Sequence, residues 1–284
     1  MHRHHDDEVH EHDRGLSYDL PVLARRRMIR LMAGAGASLV PLAGCTADGS
    51  SSPAAASAPS SGSTGDGGTD ASPAECVTVP EETAGPYPGD GSNGVNVLKE
   101  SGVVRGDITR SFGESAGGTA EGVPLTFTLT VVDAGSGCGA PRKGAAVYVW
   151  HCDREGGYSL YTEGVTDENY LRGVQETDEE GRVTFTSVFP GCYTGRWPHI
   201  HFEVYGSLRD ATGATAITNT SQLALPKDVC DTVYATEGYE SSVDNLSRLS
   251  LDTDMVFRDG HDQQLATVRG SVREGYSATL TVAV

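Results

Sequence analysis

Two stretches of alternating residues limit this chain more than anything else in it. Leu125-Thr-Phe-Thr-Leu-Thr-Val-Val132 and Arg182-Val-Thr-Phe-Thr-Ser-Val188 alternate apolar and polar side chains over most of their length. Successive strand side chains point to opposite faces, so a period of two marks a strand with one buried face. Turn formers bracket the second stretch, with Asp178-Glu-Glu-Gly181 before it and Pro190-Gly191 after it. Further strands are expected at 145–150 and His199–Tyr205, and a closing hairpin at 265–272 and 276–284. One short helix is expected near Lys227–Tyr234. Short strands between turn signals predict an all-β protein, an antiparallel β-sandwich with long loops and few short helices. A content of 36 Gly and 13 Pro in 284 residues suits that loop-rich class better than a helical bundle.

The domain is expected to span residues 76–284, because what precedes it reads as targeting and tether. Residues 1–45 hold the cationic block Arg25-Arg26-Arg27-Met28-Ile29-Arg30 and then a short apolar run at 31–42. That order predicts a secretory signal, and the run is too short for a membrane span. Its arginines resemble a twin-arginine export signal. Leu42-Ala43-Gly44-Cys45 resembles a bacterial lipobox, which implies lipidation of Cys45. Residues 46–75 are almost wholly Ser, Gly, Ala, Thr, Pro and Asp, and predict a flexible tether spanning of order 30 Å. The expected location is therefore extracytoplasmic, at the cell surface, touching the membrane only through the lipid anchor. Cys76, Cys138, Cys152, Cys192 and Cys230 fit a compartment where disulfides persist. Spacing does not assign their connectivity. Cys192 with Cys230 is the working expectation, and the odd count leaves one thiol over. The formal charge of −18 argues against a nucleic-acid partner, since phosphate binding needs clustered Lys and Arg.

The chemistry concentrates in Gly191-Cys-Tyr-Thr-Gly-Arg-Trp-Pro-His-Ile-His-Phe202. On a strand, His199 and His201 emerge on one face and Ile200 on the other, so both imidazoles can meet one metal ion. Tyr193 follows the Pro190-Gly191 turn. Tyr158 follows Trp150-His-Cys-Asp-Arg-Glu-Gly-Gly157, where a strand gives way to a loop. Phenolates are hard donors suited to Fe(III). Tyrosine ionises near ~10, so a metal charge must stabilise the phenolate at neutral pH. Two phenolates and two neutral imidazoles partly neutralise Fe(III) and leave room for hydroxide or substrate. Tyr161 is the alternative to Tyr158 as the first tyrosine donor. His151 and Cys152 are unsuited as a base and nucleophile pair, because adjacent strand residues point apart.

Taken together, these segments resemble the intradiol ring-cleavage dioxygenases, the family of catechol and protocatechuate dioxygenases. The resemblance is carried by Val147-Tyr-Val-Trp150, Gly156-Gly-Tyr158, Thr177-Asp-Glu-Glu-Gly181, Val183-Thr-Phe185, Pro190-Gly-Cys-Tyr193 and Arg196-Trp-Pro-His199-Ile-His201. Thr83-Ala-Gly-Pro-Tyr87 is similar to the family's entry segment. The resemblance implies that Tyr158, Tyr193, His199 and His201 hold a non-haem Fe(III). It also implies that Tyr193 leaves when a catecholate binds, and that Arg196 stabilises charge on the ring carbon that meets O2. Tyr87 and Trp197 are expected to line the substrate pocket. The implied partners are a small aromatic diol and O2, and the implied product is a cis,cis-muconate. The rival reading is a non-catalytic transthyretin-like or adhesin-like sandwich that binds a surface partner. Such modules share the Thr-Asp-x-x-Gly turn and Pro-Gly-x-Tyr, but they do not require Gly-x-Tyr together with Arg-x-x-His-x-His.

Overall fold

The alternation folds as a half-buried strand. β1 (Pro124–Asp133) buries Leu125, Phe127, Leu129 and Val131 and turns its threonines toward solvent. The computed structural model describes residues 76–213 and 217–284, so the expected signal, Cys45 and the tether lie outside the described residues. One sheet contains β1, β2 (Ala140–Pro141), β5 (Arg182–Val188), β8 (Thr267–Ser271) and β9 (Gly275–Ala283). β5 pairs antiparallel with β1, and Phe185 stacks on Phe127 at 5.3 Å. β9 returns parallel to β1, with Leu125 opposite Tyr276 and Val132 opposite Ala283, and every other ladder is antiparallel. The second sheet runs β4 (Arg172–Glu176), β3 (Ala146–Trp150), β6 (His199–Tyr205), β7 (Ile217–Ala224). Val147, Val149, Ile200, Phe202 and Val204 face Phe127 and its neighbours in the core between the sheets. Each such side chain contributes roughly 1.5–3 kcal/mol by burial.

β3 and β6 are buried at every position, so their outer faces are covered as well. Long loops supply that cover, together with the 3-10 turn Val97–Lys99 and α1 (Leu208–Gly213). This third layer packs Tyr87, Leu98 and Tyr158 onto Tyr148 and Trp150. It is the layer that matters for function. α2 (Lys227–Tyr234) and α3 (Glu240–Leu246) close one end of the sandwich. The hydroxyls of Tyr234 and Tyr239 donate to the carbonyls of Pro190 and Phe189, at 3.1 and 2.8 Å.

The sequence pattern misses β4, β7, α1 and α3. β4 and β7 bury polar side chains, among them Arg172, Thr220, Ser221 and Gln222, so no alternation marks them. The cysteine pairing also differs. Cys76 and Cys138 form a disulfide that closes a sequence separation of 62. By loop entropy this stabilises the fold by about 4 kcal/mol. Cys192 and Cys230 are not bonded, and with Cys152 they leave three buried free thiols instead of one. Cys192 sits in the core with its thiol toward the Arg196 carbonyl, and burial pushes its pKa up to about 12. Such thiols are inert packing residues.

Candidate metal centre

His199 and His201 stand on the outer face of β6, with Ile200 turned into the core between the sheets. Trp150 of β3 lies directly opposite His201 and stacks on its ring at 4.8 Å. The two imidazoles converge, with Nε2 atoms 3.0 Å apart. His199 Nδ1 faces the Trp197 carbonyl, which can only accept, so this nitrogen carries the proton and Nε2 offers a lone pair. Tyr193 Oη is 3.3 Å from that same Nε2. Two would-be donors thus crowd one lone pair.

Tyr158 completes the cluster, its ring edge-on to Tyr193 at 5.7 Å and to His201 at 6.3 Å. Its hydroxyl is buried with only the neighbouring Tyr193 hydroxyl to meet it, and His201 Nδ1 has no partner. Orphaned buried polar atoms cost free energy, roughly 1–3 kcal/mol each, and call for an explanation. Tyr161 is differently placed, since its hydroxyl accepts from Gly89 N–H and donates to Asn93, both at 2.9 Å. Glycines bring the two tyrosine loops together. A Cβ on Gly191 would lie 2.5 Å from the Arg154 carbonyl, and one on Gly156, at φ +91°, would press on the Tyr193 Cβ.

The electrostatics suit a bound cation. Burial first, and Arg196 second, hold the His199 pKa down to about 3. Burial and then His199 hold His201 well below its usual range. Both imidazoles are therefore neutral at pH 7, the form that ligates metals. Burial, then the adjacent Tyr193, pushes the Tyr158 phenol well up, so it ionises only if a positive ion comes close. The imidazole pair, with its Nε2 atoms 3.0 Å apart, is close enough to hold one ion between them. Among the described residues, no group of three or more His, Cys, Asp and Glu side chains could hold a metal ion.

Arg196 is buried beside the cluster. Its Nε donates to Asp254 at 3.1 Å and its Nη2 to Gln222 at 2.6 Å. Gln222 lies opposite His201 in the β6–β7 register and donates in turn to the Thr83 carbonyl at 3.0 Å. Asp254 also accepts from the N–H groups of Trp197 and Val256, at 2.7 and 2.8 Å. Tyr87 joins the site, its ring 4.9 Å from Tyr158. Trp197 does not. It packs into the core between the sheets, where its indole N–H donates to the Leu225 carbonyl at 2.9 Å, and this corrects its expected place in the pocket. Tyr193 borders an open groove of about 490 Å³, with Asp153, Thr162 and Asn245 along its walls. Asp254 and Gln222 carry no sequence signal. Only the β6–β7 register and the packing of the segment after α3 bring them to Arg196.

A family model described as Dioxygenase matches residues 103–237. A solved intradiol ring-cleavage dioxygenase from Tetranychus urticae aligns with a TM-score of 0.53 at 26% identity, covering 65% of this chain and 87% of that one. Over this span the chain is similar to the intradiol ring-cleavage dioxygenases. A second solved dioxygenase aligns with a TM-score of 0.58 at 26% identity, over 74% of this chain and 94% of that one. Among curated relatives, the protocatechuate 3,4-dioxygenase beta chain of Burkholderia cepacia is 31% identical over 146 residues, 46% of this chain. Chlorocatechol 1,2-dioxygenase of Rhodococcus opacus is 35% identical over 69 residues, 24% of this chain. The chain spans 58% and 26% of the lengths of these two intradiol dioxygenases.

Proposed function

We propose that this chain binds one non-haem Fe(III) through Tyr158, Tyr193, His199 and His201, and that it cleaves a catechol-type ring with O2. The observation that carries the reading is the convergence of two neutral imidazoles and two phenols around one buried point, with the Tyr158 hydroxyl offered only the Tyr193 hydroxyl. Bound there, Fe(III) would make a chelated catecholate reactive toward O2, so that the ring opens between its hydroxyl-bearing carbons. Both oxygen atoms enter the product, a cis,cis-muconate, so no external reductant is needed.

The chain's own residues divide the work. His199 is fixed in orientation and tautomer by the Trp197 carbonyl, and His201 by its stack on Trp150. Tyr193, 8% exposed against 1% for Tyr158, borders the groove and is the donor that gives way as the diol arrives. As a phenolate, its Oη would take one of the two protons that the diol sheds, and the other would leave through the open groove to solvent. Arg196, pinned by Asp254 and Gln222, opposes protonation of His199 and His201 and stabilises negative charge on the ring carbon that meets O2. Tyr87 lines the ring-binding side. An adhesin-like sandwich has no use for two imidazoles and two phenols converging in a buried cluster, so we set that rival aside.

The visible spectrum and iron content of the purified chain test the proposal. A red-brown tyrosinate-to-Fe(III) band is expected, shifting when catechol is added under nitrogen and weakening in both Tyr158→Phe and Tyr193→Phe. A protein that stays colourless after Fe(III) reconstitution would sink it. Lipid anchoring at Cys45, with export to the cell surface, belongs to the same proposal. It is checked by lipid labelling of the wild type against Cys45→Ala, where equal labelling would overturn it.

A further inference from the structure

Arg172 opens β4 opposite Trp150 and is 1% exposed, as deeply buried as Arg196. The two guanidinium groups differ in what holds them. Arg196 has Asp254, whereas among the described residues no carboxylate lies within ion-pair distance of Arg172. Its donors go to neutral oxygens instead. Nε donates to Ser159 Oγ at 3.0 Å and Nη2 to the Ser159 carbonyl at 2.9 Å. Nη1 donates to the Pro88 carbonyl at 2.9 Å and to Tyr148 Oη at 3.2 Å, and the group stands 5.4 Å from the Tyr161 ring. Burying a charge without a counter-ion is costly, and the cost falls only when every donor finds a fixed acceptor.

The acceptors are not arbitrary. Ser159 follows Tyr158 and Pro88 follows Tyr87, and those two rings meet at 4.9 Å. One rigid fork therefore grips the main chain beside both tyrosines, and Tyr148, anchored on β3, ties the fork to the sheet. A lysine carries the same charge but lacks the planar five-donor fork, so it cannot hold both loops at once.

We propose that Arg172 is a positioning residue that sets two parts of the site together: the Tyr158 phenol that would ligate iron, and the Tyr87 wall that would meet the aromatic ring. The inference rests on the Fe(III)–catechol reading above for its consequences, but not for its geometry. Two measurements on the full chain separate them. The first is hydrogen–deuterium exchange on the iron-free protein, comparing wild type with Arg172→Lys and Arg172→Met. Exchange should rise in 83–91 and 157–162 and stay unchanged in β1 and β5. Exchange that rises evenly, or only in β4, would overturn the proposal whether or not the chain binds iron. The second is the iron-loaded spectrum and kinetics. In Arg172→Lys the visible band per bound iron should fall toward that of Tyr158→Phe, and KM for catechol should rise about tenfold while kcat falls less. A variant that melts lower, yet keeps the wild-type band per iron and the wild-type KM, would reduce Arg172 to a structural residue and end the proposal. A colourless wild type with the expected exchange pattern would count against the iron reading alone.

Discussion

The structure buries two sets of histidines, and the contrast between them separates packing from chemistry. His151 follows β3 and is fully spoken for: its Nδ1 bonds the Cys152 carbonyl and its Nε2 bonds Ser187, each at 2.7 Å. His199 and His201 are just as buried, but their Nε2 atoms face each other and Tyr193, and His201 Nδ1 has no partner. Burial depresses the pKa of all three, so neither burial nor pKa distinguishes them. The accounting of donors and acceptors does. A satisfied buried imidazole is part of the wall, while a cluster whose lone pairs converge on one point is where the proposed metal would be held.

The sharpest way to break this comparison is to remove one member of each set. His199→Ala or His201→Ala should abolish iron binding and reduce catechol cleavage to background, measured by iron content and oxygen uptake. His151→Asn should keep one iron per chain and the visible band, while losing about 2 kcal/mol of stability in urea unfolding. Iron lost equally from all three variants would erase the distinction.

The next effect lies beside the cluster, where charge acts without ligating. Arg196→Met should lower kcat by about 10²–10³-fold with iron content unchanged, as loss of a transition-state electrostatic contact does. Asp254→Asn should cost less, about tenfold, because it loosens Arg196 without removing it. A larger loss for Asp254→Asn than for Arg196→Met would reverse their assigned order.

The smallest effect concerns the satisfied histidine and protons. Burial lowers the His151 pKa to about 4 from its ordinary 6.5. The unfolded chain therefore binds the proton more readily. The stability from keeping His151 neutral is present above pH 6.5 and is lost as pH falls through about 4. The difference amounts to about 3 kcal/mol. In iron-free protein, His151→Asn should lose about that much less unfolding free energy than wild type between pH 6.5 and 4. Parallel pH profiles would show that His151 does not titrate as its burial requires.

How much of this the sequence makes legible follows from which physical signals are local. Leu125 to Val132 and Arg182 to Val188 announce their strands because a half-buried strand imposes period two on its own residues. His199 and His201 share a face for the same reason, and the glycine turns before Tyr158 and Tyr193 mark where the donors arise. β7 gives no such sign, because its buried Thr220, Ser221 and Gln222 are polar residues satisfied by distant partners. Trp197 reads as a pocket residue beside Arg196, yet the Leu225 carbonyl draws it into the core. The Cys76–Cys138 bond likewise depends on where two distant loops meet.

By itself, then, the sequence determined the all-β class, the main strands, the family motif and the shared strand face of His199 and His201, since each is written in spacing along a single segment. Only the tertiary structure decided that Asp254 and Gln222 hold Arg196, that Arg172 grips the Tyr87 and Tyr158 loops, and that His151 is satisfied while His201 is not. Those are questions of which buried polar atom finds which partner, and the partners lie dozens of residues away, brought together only when the sheets and their covering loops close.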